Sequence, residues 1–169
     1  MRRLALLLAF GAFIAPAAAA GQVALLGGAG VGRPIGDFGD AAAPGWHALA
    51  GLQVGVPAIP IALRVDGSYH SFGAPANGLE SSILAGTGSL VLTLPGVGLV
   101  PYFLGGVGQY RVSLDQNGVD PVTDNGIHGA FGVNIGAMGF GGYAEIRVVN
   151  ISQSAGDARF VTATLGLRP

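Results

Sequence analysis

The sequence predicts an all-β chain, an eight-stranded antiparallel up-and-down transmembrane β-barrel, and three observations predict it. Apolar and polar residues alternate in segment after segment, which is the period of a strand and not of a helix. The connections between these segments are alternately long and polar, then short. Charged residues make up only 10% of the 169 positions, while 31 are glycine; an ordinary soluble domain carries about 25% charge. So little charge cannot cover a water-facing exterior, and the apolar face is expected to meet lipid.

The chain opens with Met1-Arg2-Arg3, an apolar run from Leu4 to Ile14, then Pro16 and small residues to Ala20. A basic start, a short apolar core and a small-residue cleavage site read as a secretory signal over 1–20. The run is too short to cross about 30 Å of hydrocarbon as a helix. Residues 21–169 are then one domain, the barrel.

Within that domain, Val23 to Gly32 is a small, apolar, glycine-rich first strand, and Arg33 to Gly45 is a turn-rich loop. The second strand, Trp46 to Val56, sets Trp46, Ala48, Ala50, Leu52 and Val54 against His47, Leu49, Gly51 and Gln53. Pro57 to Pro60 is a short connection. The third strand, Ile61 to Phe72, is the most strongly two-faced: Ile61, Leu63, Val65 and Tyr69 on one side, Arg64, Asp66, Ser68 and His70 on the other. A loop leads on to Ser81. In the fourth strand, Ser82 to Leu94, Leu84, Leu90 and Leu92 oppose Thr87, Ser89 and Thr93, and Pro95 to Gly98 is a tight turn.

The fifth strand is Leu99 to Leu114. Here Val100, Tyr102, Leu104, Tyr110 and Val112 form the apolar parity, and Gln109, Arg111 and Ser113 the polar one. Asp115 to Gly126 is the most turn-like stretch. Ile127 to Gly136 sets Ile127, Phe131, Val133 and Ile135 against His128 and Asn134. After a turn at Ala137 to Gly141, Ala144, Ile146 and Val148 oppose Tyr143, Glu145 and Arg147. A loop from Asn150 to Ala158 leads to the last strand, Arg159 to Arg168, with Val161, Ala163, Leu165 and Leu167 on one side.

Long loops on one rim and short turns on the other are the arrangement of outer-membrane barrels, and an even strand count brings both ends to the turn side. The apolar parity is expected to face lipid and the polar parity the lumen. An arginine on the lipid face at the midplane costs about 2–4 kcal/mol, which directs Arg64 and Arg147 inward. A helical membrane protein is the competing reading, because Ser81 to Tyr110 carries no charge. Pro95, Pro101 and seven glycines in that stretch oppose a continuous helix.

Arg64, Asp66, Arg111, Glu145 and Arg147 are therefore expected to form a polar network in the lumen. Eight strands leave an interior only wide enough for side chains to fill, so the network is expected to plug the barrel; a small gated pore is the alternative. Two aromatic girdles are expected at the membrane interfaces, where amphipathic rings settle. Trp46, Tyr69, Phe72 and Tyr110 would form the girdle at the loop end, and Tyr102, Phe140 and Tyr143 the one at the turn end.

Several function classes are set aside by what the chain lacks. There is no cysteine, hence no disulfide framework and no thiolate metal site. Six arginines beyond the signal, no lysine and nine acids leave no basic face for nucleic acid. Gly27 to Gly32 is no dinucleotide fingerprint, since no helix comes after it. Asp115 to Asp120 resembles a calcium loop only superficially, lacking the closing glutamate, and an Asn-Gly turn explains it. His70 with Ser68 and Asp66 invites a lipid-hydrolase reading, but no nucleophile elbow accompanies them. No metal, cofactor or catalytic residue is expected.

The glycine-rich first strand with Pro34-Ile35-Gly36-Asp37-Phe38, the strand Leu63 to Tyr69, the run Pro101 to Gly108 and the closing Thr164-Leu165-Gly166-Leu167-Arg168 together resemble a known family. The chain is similar to the small bacterial outer-membrane β-barrel domains of the OmpA/OmpX-like, porin-family kind. The resemblance covers the whole of 21–169 as a pattern. It implies residence in the bacterial outer membrane, contact with outer-membrane lipids, handling by the barrel-assembly machinery, and a structural or surface-interaction role without catalysis. Such chains end on an aromatic residue, and this one departs from them by ending on Pro169.

Overall fold

A computed structural model describes residues 23–56, 58–74, 80–114, 120–137, 140–153 and 157–168, excluding the side chains of Ala137 and Phe140. The expected signal over 1–20, the calcium-like run from Asp115, Pro169 and the ring of Phe140 lie outside the described residues.

Among these residues the chain forms eight strands: β1 (Val23–Ile35), β2 (Gly45–Gly55), β3 (Ile61–Phe72), β4 (Ser81–Thr93), β5 (Leu99–Leu114), β6 (Val122–Ala137), β7 (Phe140–Ile151) and β8 (Ala158–Arg168). Each pairs antiparallel with its neighbours in sequence. β1 also pairs with β8, from Gly27 opposite Leu167 to Ile35 opposite Arg159, which closes the barrel. The shortest strands have 11 residues, enough for a tilted membrane crossing of about 9–11. Ser81 to Tyr110, the charge-free stretch, is β4, a turn and most of β5, and no described helix is long and apolar enough to cross a membrane.

Boundaries differ from expectation at the loop rim. β1 runs on through Arg33 to Ile35, and Gly36, with φ 63, lets the chain reverse into a short helix, α1 (Asp37–Ala41). That positive φ is the left-handed region where a side chain is strained. β6 begins at Val122 because Val122 to Asn125 pair with Gln109 to Val112 of β5. β6 thus continues past its pairing with β7, which ends at Gly126 opposite Ile151.

The phase of seven strands is plain. Leu25, Leu63, Val65, Leu84, Leu90, Ile127, Ile146 and Leu165 all point outward and are more than half exposed, while Arg64 and Glu145 are 1% and 2% exposed. Soluble monomers rarely expose so continuous an apolar surface.

β5 is a correction. Tyr102, Leu104 and Tyr110 face the lumen and are buried, and Phe103, Val107, Gln109 and Arg111 face outward. Both faces of this strand carry bulky apolar residues, so hydropathy does not separate them. Hydrogen bonding does: a tyrosine hydroxyl finds a partner in the polar lumen, and none in hydrocarbon. Arg111 sits near the loop end of its strand, where an outward arginine costs only about 0–1 kcal/mol.

Candidate functional site: a closed ring of ion pairs in the lumen

Along β3 the inward residues are Ala62, Arg64, Asp66, Ser68, His70 and Phe72, and this order gives the layers of the lumen from turn end to loop end. An aliphatic and tyrosine base comes first, then an ionic layer, then a histidine and hydroxyl layer, then an aromatic cap.

The ionic layer is built from two pairs of residues two apart, so that each pair shares one face of its strand. Arg64 and Asp66 lie on β3; Glu145 and Arg147 lie across the lumen on β7. The Arg64 Nε donates to Asp66 Oδ1 at 2.8 Å, and its Nη1 donates to Glu145 Oε2 at 2.9 Å. Arg147 returns the pattern, its Nη2 reaching Asp66 Oδ2 at 3.1 Å and Glu145 Oε1 at 2.8 Å. Every cation touches both anions, so the four charges form a closed ring of zero net charge. The Tyr102 hydroxyl adds a bond to Glu145 Oε2 at 2.8 Å, and the Arg64 guanidinium lies 5.6 Å from the centre of the Tyr143 ring.

Glycine makes the room. A Cβ on Gly132 would overlap the Tyr102 phenol, and one on Gly51 would overlap the Asp66 carboxylate. The small residue on one strand is thus the seat of the large one on the next, a close approach of the kind that glycine inside a strand permits.

Above the ring, three histidines each bond a hydroxyl. His47 Nε2 and Thr164 Oγ1 are 2.9 Å apart, His70 Nε2 and Ser68 Oγ 3.0 Å, and His128 Nε2 and Ser89 Oγ 2.8 Å. The rings of His47 and His70 stack, with centroids 5.2 Å apart. The cap above them gathers Phe72, Phe160, Tyr110, Ile83 and Ile151, all at most 1% exposed, with Phe38 of α1 packed edge-on to Phe72 at 5.5 Å.

Of the five residues expected in the lumen network, the structure brings together Arg64, Asp66, Glu145 and Arg147; Arg111 faces away. The expected girdles need larger correction. Trp46 and Tyr69 do lie outward as a pair, 5.6 Å apart. Phe72 and Tyr110 belong to the cap inside the barrel, and Tyr102 and Tyr143 to its base, all buried. The physical reason is the same for each: a closed eight-stranded wall needs large side chains to fill its axis, and glycines opposite leave space for rings. Asp124, expected in an outer loop, stands on the inner parity of β6. Phe38, the apolar residue of an acidic loop, is a signal for the cap that hydropathy alternation does not use.

The hydrolase reading gains one contact and lacks its third member. Ser68 and His70 are within bonding distance, but Asp66 is held by both arginines, and His70 Nδ1 has no partner among the described residues. A catalytic histidine is oriented by an acid on its other nitrogen. The described residues hold no cluster of three or more groups suited to a metal ion.

The fold is similar to that of small outer-membrane barrels of known structure. Neisserial surface protein A superposes with a TM-score of 0.73 at 16% identity, over 86% of this chain and 95% of that one. Ail, the attachment invasion locus protein of Yersinia pestis, gives 0.60 at 13% identity over 89% and 98%. The N-terminal barrel domain of Pseudomonas aeruginosa OprF gives 0.56 at 12% identity over 88% and 99%. At such identities the likeness is one of fold. No family model and no curated protein matches the sequence.

Proposed function

We propose that the chain is an integral protein of the bacterial outer membrane with a structural or surface-contact role and no catalytic activity, its lumen plugged by its own side chains. The observation that carries this reading is the closed ring of Arg64, Asp66, Glu145 and Arg147, held between an aliphatic base and an aromatic cap. A channel for solutes needs a hydrated axis with unpaired groups along it. Here the charges neutralise one another, and buried aliphatic and aromatic side chains lie on either side of them, which supports the plug.

The outward apolar wall supports a partnership with outer-membrane lipids, and insertion there would require the barrel-assembly machinery. Exposed Asp37, Asp40, Glu80, Asp120 and Asp157 give the loop rim an acidic character suited to contact with other surfaces. Outer-membrane barrels of this size include a protein named for attachment and invasion, and a similar role at the cell surface fits the rim.

The test is twofold. Cell-envelope fractionation is expected to place the protein with the outer membrane, with heat-modifiable gel migration and a β-type circular-dichroism spectrum. In planar bilayers at neutral pH it is expected to give no stable channel. Stable channels of porin size would overturn the plug.

A further inference from the structure

The histidine layer differs from the ring and the cap in chemistry: its imidazoles are the lumen groups whose ordinary titration lies nearest neutrality. We infer that this barrel has a second, acid-gated activity, in which protonation of the stacked His47–His70 pair opens the lumen to ions. The inference rests on the plugged barrel proposed above.

The two rings lie 5.2 Å apart, and each leaves its Nδ1 without a partner among the described residues. Imidazole is the side chain whose ordinary titration falls within the range a bacterial surface meets. Neutral, the two rings stack on each other, and His70 continues into the cap, 5.1 Å from Phe160 and 6.2 Å from Phe72. Charged, they are two like cations at short range in a space closed to water, where repulsion is little screened.

The groups facing this pair decide how the lumen responds to its protonation. From β3 and β7 come Arg64, Asp66, Glu145 and Arg147, whose charges already cancel. β6 brings His128 and, at the loop rim, Asp124; β5 brings Tyr102 and Tyr110; β7 also brings Tyr143; β8 brings Thr162, Thr164 and, at the turn end, Arg168. The inner faces of β1, β2 and β4 bring no other ionised group among the described residues. Arg147 is the ring cation one inward position nearer the loop end than Glu145. New positive charge beside it competes for Asp66 and Glu145, so the imidazolium groups draw carboxylates away from Arg147. The ring parts on the side facing the histidines while the cap loses its stacked support. An axis left with excess positive charge passes anions ahead of cations.

Current through the full-length barrel in a planar bilayer of phosphatidylcholine and phosphatidylglycerol tests this, with potassium chloride as the permeant salt. From about pH 7.5 to about pH 3 the conductance is expected to rise about tenfold or more, reversibly and with chloride preference. The His47→Gln/His70→Gln variant, verified as folded by heat-modifiable migration, is expected to stay closed throughout. Should that pair fail to fold, His70→Phe keeps a stacking ring without a proton and is expected to behave the same way. A wild-type current that stays closed across the range overturns the acid gate and leaves the plug standing. A current already open at neutral pH overturns the plug itself. An acid response that survives in the double histidine variant assigns the trigger to groups outside the stacked pair, His128 or the carboxylates, and the inference falls.

Discussion

Arg64 and Glu145 stand 81 positions apart in sequence and face each other across the barrel axis with a 2.9 Å hydrogen bond. No strand pairing joins β3 to β7, so this contact ties opposite walls through the lumen. A buried ion pair of this kind adds little net stability over a well-packed apolar filling, but losing one partner leaves a buried charge uncompensated.

Glu145→Gln removes one anion from between two guanidinium groups. It is expected to cost about 3–5 kcal/mol, read as a shift in the urea unfolding midpoint of the barrel in phospholipid vesicles. Adding Arg64→Gln is expected to restore part of the loss, because one cation then matches one anion.

Gly132 is the seat of Tyr102. Gly132→Ala is expected to destabilise by about 1–3 kcal/mol through overpacking, and by clearly less in a Tyr102→Leu background. The same unfolding measurement on the two single variants and the double variant gives the coupling.

Leu63 and Arg111 both point outward but at different depths. Leu63→Arg is expected to cost about 2–4 kcal/mol, and Arg111→Leu to change stability by no more than about 1 kcal/mol. Equal effects in vesicle unfolding would mean that the two positions do not differ in membrane depth.

Phe72 holds the centre of the cap. Phe72→Ala is expected to lose about 3–5 kcal/mol, as for a large buried ring, and Phe38→Ala less, since Phe38 is only partly buried. Protease cleavage within the loop between β1 and β2 is expected to quicken in both variants, because α1 packs on the barrel through Phe38.

Much of this architecture was legible in the sequence. Alternation gave the strand count, the alternating connections gave the topology, and the pairing of Arg64 with Asp66 and of Glu145 with Arg147 on single faces placed four charges in the lumen. The rest fails for one reason. Hydropathy ranks tyrosine and phenylalanine with leucine, so Tyr102 and Tyr110 read as the lipid face of their strand, while Tyr143 and Phe72, although on the parity of the lumen charges, read as interfacial rings. Their places depend on which glycine lies opposite, and that is fixed by strand register, which one strand's sequence does not reveal. Arg111 reads as inward for the same reason, since it opposes Tyr102 and Tyr110 on β5. The contact between Phe38 and Phe72 joins a loop to a strand end, where alternation carries no information.

The central claim is that apolar residues meet acyl chains and charged ones are enclosed. Spin labels placed singly along β3 in lipid vesicles test it most directly, through their collision rates with oxygen, which partitions into the bilayer. Labels replacing Leu63, Val65 and Tyr69 are expected to show high oxygen access, and labels at Ala62 and Ser68 low access. The opposite alternation, or none, would contradict the account.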